Sequence, residues 1–169
     1  MTSLRHTGLR HVDSPLGVLT VAAENGAITR LHFGVIGPEA RRDDPVLVEA
    51  ERQLQAYFAG TLHDFDLPLD APGNELERGV WDAMLRIPYG RTRTYGEVAA
   101  ELGAIARNVG TACGANPIAI VIPCHRIVGA QGKLTGYSGG EGVKTKAWLL
   151  GHEGWRPPSV PEAQLSLFG

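Results

Sequence analysis

Cysteine is scarce in this chain, and its scarcity excludes one class at once. Two residues, Cys113 and Cys124, in a sequence of 169 are too few and too close together for a secreted disulfide framework. No apolar run approaches the length of a membrane span. The opening Met1-Thr2-Ser3-Leu4-Arg5-His6 has no apolar core of signal-peptide length. The expectation is a cytoplasmic protein with reduced thiols and no membrane partner. Internal repeats and low-complexity stretches are also missing. The first half holds His6, His11, His32 and His63 but no cysteine, and no metal-ligand spacing stands out; neither a metal nor a cofactor is expected. What remains is ordinary globular composition, 43% hydrophobic and 20% charged, enough to bury a core in one domain or two small ones.

The net charge of −2 hides an asymmetry. Residues 1–85 carry 7 Lys/Arg against 13 Asp/Glu, whereas residues 86–156 carry 9 against 4. Such a split suits a polyanion partner for the second half only, although solvated cations need no partner.

Along the chain, Leu9–Val12, Leu16–Ala22 and Ala27–Phe33 alternate like strands around Asp13-Ser14-Pro15 and Glu24-Asn25-Gly26. After Pro45, Val46, Leu47, Ala50, Leu54, Tyr57 and Phe58 recur at helical spacing up to Gly60. Asp70-Ala71-Pro72-Gly73 reads as a boundary. Beyond it, Asn74 and Glu77 form a capping-box pattern before an apolar stripe of Leu76, Val80, Trp81, Met84 and Leu85. A second such box, Thr94 and Glu97, opens a short helix stopped by Gly103, and a third helix runs from Ile105 to Asn116. Two short helices about a glycine turn read as helix-turn-helix or as a plain helical hairpin. The third helix is built from small residues, among them Ala106, Gly110, Ala112, Cys113 and Gly114, as if another surface approaches its backbone closely. Val143–Leu150 reads as a last helix ended by Gly151. The expected fold is α/β: an N-terminal antiparallel sheet with a helix (1–72), a mainly helical C-terminal domain containing the helix-turn-helix (73–156), and a flexible proline-rich tail (157–169).

Chemistry concentrates at Ile122-Pro123-Cys124-His125-Arg126. A free thiol has a pKa near ~8.5, and two cationic neighbours are expected to favour the nucleophilic thiolate. A free cysteine after an apolar run is also a common small core residue. If Cys124 is a nucleophile it needs a base. In an extended segment the side chain of His125 points to the opposite face, so either the chain turns here or a water relays the proton.

Ile87-Pro88-Tyr89-Gly90, Thr94-Tyr95-Gly96, Arg107-Asn108-Val109-Gly110, Asn116-Pro117, the Cys124 motif, Gly136-Tyr137-Ser138-Gly139-Gly140 and His152-Glu153-Gly154 occur in this order. The set resembles the O6-alkylguanine-DNA alkyltransferases, and the match is dense from Trp81 to Gly154. The resemblance implies direct-reversal DNA repair, an irreversible single-turnover transfer from O6-alkylguanine, or from O4-alkylthymine, to Cys124. This is the activity of a methylated-DNA–[protein]-cysteine S-methyltransferase. It implies His125 as base through a water and Glu153 as the acid that orients it. The same resemblance makes Tyr95 the proton donor to the leaving guanine, Asn116 the hinge to the cysteine segment, and Tyr137 with Ser138 the pocket wall. Arg107 would fill the space left by the flipped base. Gly110 and its small neighbours would dock in the minor groove of double-stranded DNA. Cys113 lies where a plain apolar pocket residue is expected and Arg126 is read as structural. The turn at Gly103-Ala104 is about two residues shorter than the family pattern, which bears on Arg107.

Two other classes remain to be weighed. A non-catalytic sensor of alkylated bases needs no reactive cysteine, and a thiol hydrolase needs an oxyanion hole that has no place in this sequence. The chain is expected to be a monomer. Its end, Gln164-Leu165-Ser166-Leu167-Phe168, resembles peptides that dock on a bacterial sliding clamp.

Overall fold

The computed structural model describes residues 7–157, so the sliding-clamp-like Gln164–Phe168 lies outside the described residues. The chain divides into two compact units. The first comprises residues up to Pro72 together with Pro117–Val121, and the second comprises Gly73–Asn116 and the chain from Ile122 onward. A contiguous second domain over 73–156 therefore needs correction: five residues just before the cysteine segment belong with the first unit.

In the first unit, β1 (Thr7–Val12), β2 (Leu19–Glu24) and β3 (Ala27–Phe33) form an antiparallel sheet in the order β1-β2-β3. The hairpin turn is Asn25-Gly26, both with positive φ, the geometry that matches strand twist. β2 starts three residues later than expected, because Ser14-Pro15-Leu16-Gly17 is a closed turn with Gly17 N–H donating to Ser14 O. Leu19, Val21, Ile28 and Leu31 are buried, as are Leu47, Leu54 and Tyr57 of α1 (Pro45–Phe58). The free edge of β3 pairs with two passing segments, at Ile28↔Leu69 and Leu31↔Ile118. Ile120 has φ +73, unusual for a β-branched residue and costing on the order of 1–3 kcal/mol. Its side chain is fully buried, and Val121 N–H closes back on Ala119 O.

In the second unit, α2 (Glu75–Leu85) begins at a complete Asn74/Glu77 capping box. Its buried face is Val80, Trp81, Ala83 and Met84, whereas Leu85 is 46% exposed. Successive residues rotate by about 100°, which carries Leu85 off the stripe and brings Ala83 in. Trp81 Nε1–H donates to Ala112 O across a buried contact, fixing α2 against α4 (Ala106–Gly114). Between them, α3 (Tyr95–Leu102) has the second capping box and ends on a left-handed Gly103. α4 stops two residues before Asn116. Two parallel two-residue strands, β4 (Arg93–Thr94) and β5 (Ile127–Val128), tie the start of α3 to the cysteine segment.

The last helix, α5 (Val143–His152), runs through Gly151 rather than ending there. Its stop is Gly154, at φ +85. Gly154 N–H donates to Gly151 O and Trp155 N–H to Leu150 O, a Schellman closure that sets Glu153 at the C-cap. No helix among the described residues is long and apolar enough to cross a membrane.

Candidate active site

The cysteine sits where the chain turns. Pro123 leads into a single 3₁₀ turn, Cys124–Arg126, closed by Arg126 N–H on Pro123 O at 2.9 Å. This turn places Cys124 and His125 on different sides of one bend. Asn116 Nδ2 donates to Ile122 O at 2.8 Å, joining the end of α4 to the approach to the turn.

Cys124 is 8% exposed and opens onto a cavity of about 740 Å³. The wall includes Tyr95, Arg107, Gly110, Cys113, Tyr137 and Ser138, so the substrate-handling residues read from the sequence are brought together with the thiol. Small side chains make up much of the α4 side, including Ala106 and Gly114. A Cβ at Gly110 would stand 3.9 Å from the Tyr95 ring, so the absence of a side chain there leaves room rather than avoiding a clash. Arg107 is exposed at the cavity's edge.

His125, Arg126 and Glu153 are buried and lie outside the cavity lining. His125 Nε2 meets Glu153 Oε2 at 2.8 Å. Arg126 grips both carboxylate oxygens, Nε to Oε1 at 2.9 Å and Nη2 to Oε2 at 3.1 Å, and Nη1 donates to Ile87 O at 2.7 Å. Gly90 N–H also donates, to Oε1 at 3.2 Å. An acid at a helix C-terminus opposes the macrodipole; these donors supply the compensation. Burial works against the Glu153 carboxylate, but the His125 and Arg126 contacts outweigh it and hold its pKa well below the usual range.

That arrangement corrects the expectation about the thiol. Arg126 is spent on Glu153, and burial lowers the His125 pKa despite the carboxylate beside it. His125 is therefore neutral at pH 7. Burial likewise pushes the Cys124 thiol up, and Asn116, Lys146 and Tyr137 pull it back only in part. The resting cysteine is a thiol, because its sequence neighbours are a neutral base and an already paired cation. An ionised carboxylate only accepts hydrogen bonds, so Nε2 carries the His125 proton. Nδ1 is left as a lone pair, buried and without a hydrogen bond among the described residues.

Lys146 was missed in the sequence. It is fully buried on α5, with its pKa lowered to about 8 by burial. Its Nζ donates to Thr135 O at 2.9 Å and lies 3.3 Å from Tyr95 Oη. Tyr95 Oη–H also donates to Thr135 O, at 3.2 Å. Burial raises the Tyr95 pKa and pushes the Cys113 thiol up to about 12. The available signal was spacing, since Lys146, Leu149 and Leu150 share one helical face.

Family models, curated relatives and solved structures match this chain over most of its length. Residues 75–155 match the family of the 6-O-methylguanine DNA methyltransferase DNA-binding domain, and residues 9–71 match the ribonuclease-like domain of the same proteins. A methylated-DNA–protein-cysteine methyltransferase of Mycobacterium tuberculosis is 47% identical over 94% of this chain and 97% of its own. The constitutive one of Bacillus subtilis is 40% identical over 83% of this chain and 92% of its own. The crystal structure of M. tuberculosis OGT in complex with DNA superimposes with a TM-score of 0.78 at 46% identity, covering 95% of this chain and 99% of that one.

Proposed function

This chain belongs to the 6-O-methylguanine DNA methyltransferase family, and we propose that it repairs alkylated DNA by moving the alkyl group from O6 of guanine to Sγ of Cys124. The observation that carries the assignment of Cys124 is its position: a nearly buried thiol facing a 740 Å³ cavity beside a His–Glu couple whose other ring nitrogen has no hydrogen bond among the described residues. In this reading residues 73–116 and 122–156 bind DNA and carry the chemistry.

The steps follow from the groups present. His125 Nδ1 takes the Cys124 proton through one water, and Glu153 stabilises the imidazolium that results. The thiolate attacks the alkyl carbon; the S–C bond forms as the C–O6 bond breaks, and the electron pair passes into the guanine ring. Tyr95 Oη supplies a proton to the ring, and Lys146 replaces it. A thioether is a poor leaving group, so each chain acts once. Mass spectrometry after incubation with O6-methylguanine duplex should find one added methyl group, on Cys124. An unchanged mass on folded protein would refute the assignment.

DNA contact is assigned to α3 and α4. The exposed small residues of α4 support docking in the minor groove, where a flat helix surface approaches the backbone closely. A base in the stack cannot reach a nearly buried thiol, so the guanine is flipped out and Arg107 occupies its place. Arg107→Ala should then slow transfer from duplex far more than from free O6-benzylguanine; equal losses would remove Arg107 from that role. Binding should weaken as salt rises, with little sequence preference. The non-catalytic sensor reading is disfavoured by the base and acid built around the thiol.

The protein acts as a cytoplasmic monomer in this reading. Gln164–Phe168 is proposed to dock on a bacterial sliding clamp, delivering a single-use protein to newly opened DNA. Deleting Gln164–Gly169 should abolish clamp binding in a calorimetric titration and leave transfer intact.

A further inference from the structure

A backbone N–H donates to the Glu153 carboxylate alongside its histidine partner and Arg126. Gly90 N–H reaches Oε1 at 3.2 Å from the turn that follows α2. The same turn holds the other side of the ion pair. Ile87 O accepts from Arg126 Nη1 at 2.7 Å, and the Tyr89 ring stands 5.8 Å from the Arg126 guanidinium carbon. One short segment, Ile87–Gly90, thus grips both the carboxylate and its cation.

Only glycine suits this contact. Gly90 has φ +77, where an L side chain is strained. A Cβ at this position would stand 3.0 Å from the Glu153 carbonyl oxygen, so any side chain presses on the backbone of the residue whose carboxylate the N–H holds. Glu153 Oε2 is shared by His125 and Arg126, while Oε1 is fixed by Arg126 and Gly90. Freeing or displacing Oε1 lets the carboxylate turn, and Oε2 then leaves the line of the His125 Nε2–H bond.

We infer that Ile87–Gly90 is a positioning element of the proton relay and that Gly90 sets the place of the Glu153 carboxylate. The inference rests on the His125–Glu153 relay proposed above. Gly90 touches neither substrate nor thiol; it acts through Glu153 on the nitrogen that must receive the Cys124 proton. A displaced carboxylate leaves the imidazole less well oriented, and the buried thiol must then lose its proton to bulk hydroxide.

The test is Gly90→Ala in the full chain, with transfer from free O6-benzylguanine followed against pH. The rate constant at pH 7 should fall on the order of 10- to 100-fold, by analogy with the loss on removing the partners that orient metal-ligating histidines. Affinity for unmodified duplex should stay unchanged. The wild-type rate should level off near neutrality while the variant's rate keeps climbing into alkaline solution. An unaltered pH profile, or a rate loss matched by an equal loss of DNA affinity, overturns the inference. Where Gly90→Ala does not fold, amide exchange in the wild type decides: a Gly90 N–H protected by its bond to Glu153 supports the inference, and exchange at the rate of an unstructured peptide overturns it. Glu153→Gln separates the two readings. A slow Glu153→Gln with a fast Gly90→Ala removes Gly90 alone, whereas a Glu153→Gln at full speed removes the relay itself.

Discussion

Lys146 Nζ lies 3.3 Å from Tyr95 Oη, and the ammonium stands 5.5 Å from the centre of the Tyr95 ring. Both groups donate to the carbonyl of Thr135. A fully buried lysine and a half-buried phenol thus share one acceptor at the wall of the cavity that holds Cys124. Among the described residues no carboxylate pairs with the lysine, and burial lowers its pKa to about 8.

This lowered pKa makes a stability prediction. Between about pH 8 and pH 10.5 the folded chain has released the Lys146 proton while the unfolded chain retains it. The unfolded state then binds more protons, so this group makes stability rise with pH through that window. The two cysteines, raised by burial, act in the opposite sense above about pH 8.5. The difference between wild type and Lys146→Met isolates the lysine. Urea unfolding should show wild type gaining on the variant by roughly 2–3 kcal/mol from pH 8 to pH 10; a constant difference would mean the amine titrates normally.

Glu153→Gln should damage both stability and chemistry. It leaves the buried Arg126 guanidinium without its counter-charge, a loss on the order of 3–5 kcal/mol. Its amide no longer anchors the His125 tautomer that frees Nδ1. Transfer should slow by roughly 10²- to 10⁴-fold, the range for a general base. Denaturant titration and a single-turnover rate on the same preparation check the two effects.

The acid limb of transfer should lie below the ordinary histidine value. Burial lowers the His125 pKa, with the Glu153 contact resisting, so the base stays neutral as pH falls past ~6.5. A rate profile with free O6-benzylguanine between pH 5 and pH 8 reads the midpoint directly, and a midpoint above the ordinary histidine value would contradict a neutral buried base. The same shift has a stability consequence. Below about 6.5 the unfolded histidine takes a proton that the folded one refuses, so stability declines as pH falls toward the folded pKa.

Cys113 should be a poor nucleophile although it borders the same cavity. Its thiol is pushed up to about 12, chiefly by burial, leaving almost no thiolate at pH 8. Iodoacetamide at that pH should label Cys113 of the folded chain at least about 100-fold more slowly than in urea. Peptide mass mapping at timed intervals gives both rates, and comparable rates would place Cys113 in a more polar setting than its burial implies.

Much of the second unit was legible because its signals are local. Asn74/Glu77 and Thr94/Glu97 mark helix starts by reciprocal hydrogen bonds within four residues, and the small residues of α4 announce an open surface. Two local signals in the same unit point to the wrong neighbour. Gly151 reads as a stop, but the left-handed Gly154 closes α5. Leu85 reads as part of the apolar stripe, yet its angle about the helix points it to solvent.

The order of its motifs, with Pro123-Cys124-His125-Arg126 at their centre, was enough to determine the family and the candidate nucleophile, because a reactive thiol and its base must come from residues of fixed type. The protonation states were settled by tertiary structure alone. Arg126 turns away from Cys124 to grip Glu153, 27 positions on, and burial keeps His125 neutral. Lys146 is buried beside Tyr95, 51 residues away in sequence. A pKa depends on solvent and on charges within a few ångströms, and folding alone decides which distant groups occupy that space.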